Sequence, residues 1–280
     1  VTGVRGYLVS TGVLPICVGR PFYDYTGIVE GYRRLGLQGI ELVFLAEWDK
    51  GHPPRTPTSA DWSRTPKASV SEIVDLCSAN DIAVPAIHVN RDVGTMLCSQ
   101  NRETILEGQR ILEENLWGAE RLQAQIAVLH LWDTHAERLD LGRLFQLAWE
   151  VARDHKVPLA VENIPISAEG LTQAKAWEEL AAIMPEDYGF TLDLNWCSLY
   201  DNFAELSWFK HRILNVHVQG RVVQAGKSGW TLAPRVGNLD IIKCLSEFCG
   251  SGYDGYITLE LNSPRGEDDF RRALEIITSA

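Results

Sequence analysis

Eight short apolar runs recur along this chain, and after each the apolar residues return at helical spacing. The runs are Arg5–Ser10, Gly39–Leu45, Ile82–Val89, Ala124–Leu131, Leu159–Glu162, Phe190–Asp193, Ile213–His217 and Ile257–Glu260. Most are apolar throughout rather than alternating, the pattern of strands buried on both faces of a parallel sheet. Helices predicted over Tyr25–Leu35, Val70–Ala79, Ser99–Gly118, Leu141–His155, Leu171–Met184, Phe203–Lys210, Leu239–Cys249 and Asp268–Thr278 would cover such a sheet. No change of composition divides the series. The expectation is an α/β fold, a single closed (β/α)8 barrel domain over residues 1–280, and about 250 residues is typical for that architecture. An open dinucleotide-binding sheet is the competing solution, but no Gly-x-Gly-x-x-Gly follows the first run.

Two stretches fit neither period and read as long loops after strands 2 and 7. Ala46–Ser69 carries Pro53, Pro54, Pro57 and Pro66 with Trp48 and Trp62, and is expected to be an ordered lid or a packing segment. Gly220–Pro234 is the second.

The formal charge of −11 lacks the basic excess of a nucleic-acid binder, so no nucleic-acid partner is expected. The longest apolar run falls well short of the roughly 20 residues of a membrane span, so no membrane partner is expected either. Six cysteines without C-x-x-C spacing read as free thiols, and with a first strand at Arg5–Ser10 rather than a leader the chain reads as cytoplasmic. Assembly into a homo-oligomer stays open.

Four successive runs end on residues that ligate metals: Glu162, Asp193, His217 and Glu260. Residues two apart on a strand share a face, so these four join Ala160, Thr191, Asn215 and Thr258, small or polar partners suited to a barrel interior. A parallel barrel gathers its strand ends at one mouth. Three carboxylates converging there would repel one another without a cation. An oxygen-rich set with one imidazole suits Mn²⁺, Mg²⁺ or Co²⁺, and Zn²⁺ also fits. Elsewhere His88 and His130 lie near the third and fourth strand ends, as substrate contacts or as satisfied mouth histidines. Glu41 on the second strand either lines the pocket or forms a buried ion pair. His52, His135, His155 and His211 are expected to face solvent.

This ligand order resembles the xylose isomerase-like TIM-barrel superfamily, the sugar phosphate isomerase/epimerase group, and within it the ketose 3-epimerases. Family members also carry histidines where His88 and His130 fall. The resemblance implies a small-molecule carbohydrate substrate and a divalent metal held by Glu162, Asp193, His217 and Glu260. It further implies an enediolate route in which Glu162 and Glu260 are catalytic and move protons. The chain departs from the family twice. Asp193-Leu-Asn-Trp196 stands where D-x-x-H is common, and His217-Val-Gln-Gly220 where H-x-K-D is common. Trp196 then either stacks on a sugar or fills its place, and Arg221 and Arg235 are the nearest cations to grip substrate. A dehydratase on the same metal and a non-catalytic sugar-binding homologue are the alternatives. An endonuclease IV-like nuclease is disfavoured, since its further metal-binding histidines are missing: none follows His217.

Overall fold

A computed structural model of the chain describes residues 3–44, 68–227 and 229–280. The strands are β1 (Gly6–Ser10), β2 (Ile40–Val43), β3 (Ala86–His88), β4 (Ile126–Leu129), β5 (Leu159–Glu162), β6 (Gly189–Asp193), β7 (Ile213–Ala225), β8 (Gly229–Ala233) and β9 (Tyr256–Leu261). Strands β1 to β7 and β9 close into a parallel ring in which β6 pairs with β7 and β9 with β1. This is the expected (β/α)8 TIM barrel. The described helices are α1 (Ile28–Leu35), α2 (Val70–Ala79), α3 (Asp92–Leu97), α4 (Arg102–Arg121), α5 (Leu141–Ala152), α6 (Gln173–Ala181), α7 (Leu194–Tyr200), α8 (Phe203–Leu206), α9 (Ile241–Gly250) and α10 (Glu267–Ser279).

Several helix starts are set by short polar side chains. Ser69 and Glu72 form a reciprocal capping box on α2, and Asn101, Asp140, Thr172 and Asp240 each accept a first-turn N–H. Each such cap is worth about 1 kcal/mol. Helices α3 and α7 were not expected. Both are short and follow a strand end directly, so their few residues give no helical period to read.

The described residues fall into two compact units, with boundaries inside β2 and β6. One unit holds 3–41 and the described part of 192–280; its core includes Leu8, Val9, Ile28, Ile241, Phe248, Ile257, Leu259 and Phe270. The other holds 42–44 and 68–191, with Phe44, Ile73, Ile111, Leu112, Trp132 and Trp177 in its core. In that unit the Trp177 and Phe190 rings stack at 4.3 Å. Burying one such side chain stabilises by about 1.5–3 kcal/mol.

The expected loop at Gly220–Pro234 is instead a hairpin. Strand β7 continues to Ala225 and pairs antiparallel with β8, Arg221 opposite Ala233 and Ala225 opposite Gly229. Val222, Val223, Thr231 and Leu232 have the β-branched and apolar character of strands, with a Gly-containing turn between them. The Arg272 guanidinium of α10 lies 4.5 Å from the centre of the Trp230 ring on β8. Ala46–Lys67, with Trp48, Trp62 and His52, lies outside the described residues, so the lid expectation does too.

His155 is a correction. Its side chain is 8% exposed, with Nε2 3.3 Å from Glu113 and Nδ1 3.1 Å from Glu120. Two carboxylates of α4 hold it, whereas His135 and His211 are exposed as expected. All six cysteines are free thiols. Burial pushes Cys77 up to about 12 and, together with Glu247 and Asp240, Cys244 up to about 11.

Candidate metal centre

In the unit that holds residues 68–191, β3, β4 and β5 run side by side, with Ala127 opposite Leu159 and Leu129 opposite Val161. One further step brings His130 beside Glu162. His88 Nε2 lies 3.3 Å and His130 Nε2 3.0 Å from the same atom, Glu162 Oε2. The two rings meet edge to face at 4.9 Å. His88 and Glu162 are buried, and His130 is partly so.

Local packing fixes this arrangement. Gly94 on α3 runs against the chain after β4, where an added Cβ would come 2.2 Å from the His130 carbonyl oxygen. Only glycine allows that approach. Beyond Glu162, Gln173 donates to the Asn163 carbonyl and, at 3.0 Å, to that of Ile164, holding the turn after β5.

The hydrogen bonds assign protons. His88 Nδ1 is 2.7 Å from the Val89 carbonyl oxygen, which only accepts, so Nδ1 carries the hydrogen. A neutral His88 therefore turns the Nε2 lone pair toward a carboxylate oxygen. That contact is favourable only with a proton or a cation between the two atoms. Burial, then the charges of His88 and Arg91, lowers the pKa of His130, while Glu162 opposes the shift. A neutral His130 is the ligand form of imidazole. Two imidazoles and one carboxylate within 4.8 Å of one another suit a divalent cation.

The other unit carries a different cluster. On β7, Asn215, His217 and Gln219 share one face; His217 sits opposite Thr258 and Gln219 opposite Glu260 on β9. Fully buried Glu41 presents Oε2 to Asn215 Nδ2 at 2.8 Å and to His217 Nε2 at 3.0 Å. Thr258 donates to Asn215 Oδ1 at 3.0 Å, fixing which end of the amide faces Glu41. Glu41 is thus a buried partner of His217, and with His217 and Glu260 it also forms a group of potential metal ligands within 4.8 Å of one another. On the opposite edge of its ring, His217 Nδ1 lies 3.8 Å from Glu260 Oε2. That is too long for a hydrogen bond, yet two ligands about 2.1 Å from one ion stand at most about 4.2 Å apart. Glu260 is 17% exposed on its side chain and accepts from Gln219 Nε2 at 2.7 Å.

Asp193 ends β6 and also opens α7. Its Oδ1 accepts from the backbone N–H of Asn195 at 2.6 Å and of Trp196 at 3.2 Å. Trp196 stands half-buried on the first turn of α7. Arg221 is exposed at the base of the hairpin and lines a cleft of about 310 Å³ with Leu261, Asn262, Ser263 and Arg265. The Arg235 side chain is exposed, and its backbone N–H donates to Asn195 Oδ1 at 3.2 Å. Among the described residues, neither guanidinium bonds to either carboxylate–imidazole cluster.

Sequence reading passed over Gln219 and the bond from Glu41 to His217. The alternation Asn215, His217, Gln219 on β7 was the available signal for Gln219. Nothing local joins Glu41 to a residue 176 positions away.

A family model described as the xylose isomerase-like TIM barrel matches residues 29–280. The uncharacterized protein MJ1311 of Methanocaldococcus jannaschii is 24% identical over 185 residues, which span 59% of this chain and 62% of that protein. Among solved structures, D-allulose 3-epimerase from Methylomonas sp., in complex with D-allulose, superposes with a TM-score of 0.71 at 14% identity, over 99% of this chain and 97% of that one. The E. coli 3-keto-D-glucoside 4-epimerase YcjR gives 0.66 at 11%, over 99% and 100%. An L-ribulose 3-epimerase gives 0.63 at 15%, over 99% and 86%. At these identities the likeness is one of fold.

Proposed function

Since the chain belongs to the xylose isomerase-like TIM-barrel family, we propose that it is a metal-dependent isomerase or epimerase of a small sugar or related polyol, working as one domain. The observation that carries the reading is the setting of Glu162 and Glu260. Each is a carboxylate near a strand end with an imidazole nitrogen close by, 3.0 Å from Glu162 and 3.8 Å from Glu260. In this reading Glu162, Asp193, His217 and Glu260 hold one divalent ion, Mn²⁺, Mg²⁺ or Co²⁺, with Zn²⁺ also compatible with the donors. When bound, such an ion acts as a Lewis acid on a carbonyl oxygen.

The chain's own groups do the rest. Glu162 takes a proton from the carbon beside the carbonyl, and Glu260 returns one from the opposite side. Positioned proton transfer of this kind contributes about 10²–10⁴-fold. Glu162 is buried, with His88 and His130 against its Oε2. Glu260 is the more open to solvent of the two. His88 and His130 orient substrate hydroxyls beside Glu162, Trp196 faces a sugar ring, and Arg221 and Arg235 grip a hydroxyl or anionic group at the far end.

The test is incubation of the Mn²⁺-loaded protein with a ketose panel in D₂O. Deuterium entering beside the carbonyl, with mass otherwise unchanged, is expected; no exchange with any member, with or without metal, would sink the proposal. Loss of water from the product would instead identify a dehydratase using the same two carboxylates. Absence of bound metal, with no stabilisation by any of the four ions, would favour a non-catalytic sugar-binding homologue.

A further inference from the structure

We propose that Glu41 is a positioning residue that acts on the metal through His217; the metal half of this rests on the reading above. A carboxylate oxygen is an acceptor, and Oε2 of Glu41 already takes the Asn215 N–H at 2.8 Å. The imidazole 3.0 Å away therefore meets it with Nε2–H. Proton placement on Nε2 leaves the lone pair of the neutral ring on Nδ1, the atom that stands 3.8 Å from Glu260. One bond thus sets both the tautomer and the aim of His217.

Glu41 is itself held. It is fully buried, and Thr258 locks the orientation of Asn215, so that the amide presents a donor. A buried anion hydrogen-bonded to the far edge of a ligand histidine raises the basicity of the ligating nitrogen, and losing such a partner costs about 10–100-fold in metal affinity. In this proposal the effect of Glu41 is exerted through His217, on Nδ1.

The experiment uses the full-length ¹⁵N-labelled protein. Long-range ¹H–¹⁵N spectra of the metal-free form at mildly alkaline pH report each imidazole tautomer, with His217 assigned by the peaks lost in His217→Gln. Co²⁺ titration, followed by visible absorption, reports affinity and ligand field. Wild type is expected to show His217 protonated on Nε2 alone. In Glu41→Leu that single tautomer is expected to disappear, and Co²⁺ to bind about 10–100-fold more weakly.

Should Glu41→Leu fail to fold, Glu41→Gln carries the test. Its amide oxygen can replace Oε2, so the tautomer is expected to persist while the lost charge weakens Co²⁺ binding about tenfold. A wild-type His217 protonated on Nδ1, or Co²⁺ affinity unchanged in the folded Glu41 variants, would overturn the role of Glu41. A wild type that takes up no Co²⁺ overturns the metal centre instead, and the spectra still decide whether Glu41 orients the ring.

Discussion

Glu162, at the end of β5, and Glu41, within β2, are both buried carboxylates beside histidines, one in each unit, yet their surroundings have opposite sense. Around Glu41 the contacts are donors: an amide N–H and an imidazole N–H converge on one oxygen. Around Glu162, His88 has committed its hydrogen to the Val89 carbonyl and offers only a lone pair while neutral. Saturation by donors makes a carboxylate a support. Facing the lone pair of a neutral His88, Glu162 has room for a proton or a cation, the setting on which the proposed metal centre draws.

The largest expected effect tests the ligand side. Glu162→Gln should lower turnover on the true ketose by about 10²–10⁴-fold, measured at saturating Mn²⁺. A variant retaining full turnover would reduce Glu162 to a structural partner of its histidines. Next comes metal addition. If the donors form a site in the folded chain, Mn²⁺ at 100 times its dissociation constant should stabilise against thermal unfolding by about 2.7 kcal/mol, and Glu162→Gln should lose most of that gain. An unchanged melting profile with every divalent ion would remove the distinction drawn between the two carboxylates.

Much of this was legible beforehand. Glu162, Asp193, His217 and Glu260 were singled out because each closes a short apolar run, a pattern contained within a few residues. Val70–Ala79 matched its expected helix because four buried side chains recur at its period. The hairpin was misread because Gly226, Gly229 and Pro234 suggest an irregular loop, while the pairing that orders Val222 and Val223 comes from across the turn. His155 was misread because its burial depends on two glutamates of α4, more than 30 residues earlier in the chain. The tautomers could not be read at all, since they follow from distances to carbonyl and carboxylate oxygens.

Packing supplies a smaller effect. Gly94→Ala would place a methyl group 2.2 Å from the His130 carbonyl oxygen, so a loss of about 1–3 kcal/mol in urea unfolding is expected. The same change should disturb the His130 resonances more than those of His217; equal disturbance of both would count against a local packing effect. The smallest effect belongs to Arg265, whose side-chain hydrogen bonds hold the Asp269 carboxyl below its ordinary pKa. A carboxyl lowered on folding contributes stability above the ordinary carboxylate range and loses it as pH falls through the lowered value. Arg265→Ala should therefore be slightly less stable than wild type at neutral pH, with the gap closing on acidification. The proposed metal centre should not respond to that change.

Asp193 has a consequence for how such a protein could change over generations. One of its oxygens starts α7, so a capping side chain is retained there by architecture even where chemistry no longer selects the aspartate. Glu260 carries a lighter duty: among the described residues only the Gln219 amide donates a hydrogen bond to it. On the proposed function, a lineage abandoning catalysis would be free to replace Glu260 before losing a capping side chain at position 193, where Asn, Ser or Thr could serve as well. A capping residue there in a descendant would then say little about activity, and a retained Glu260 would say more.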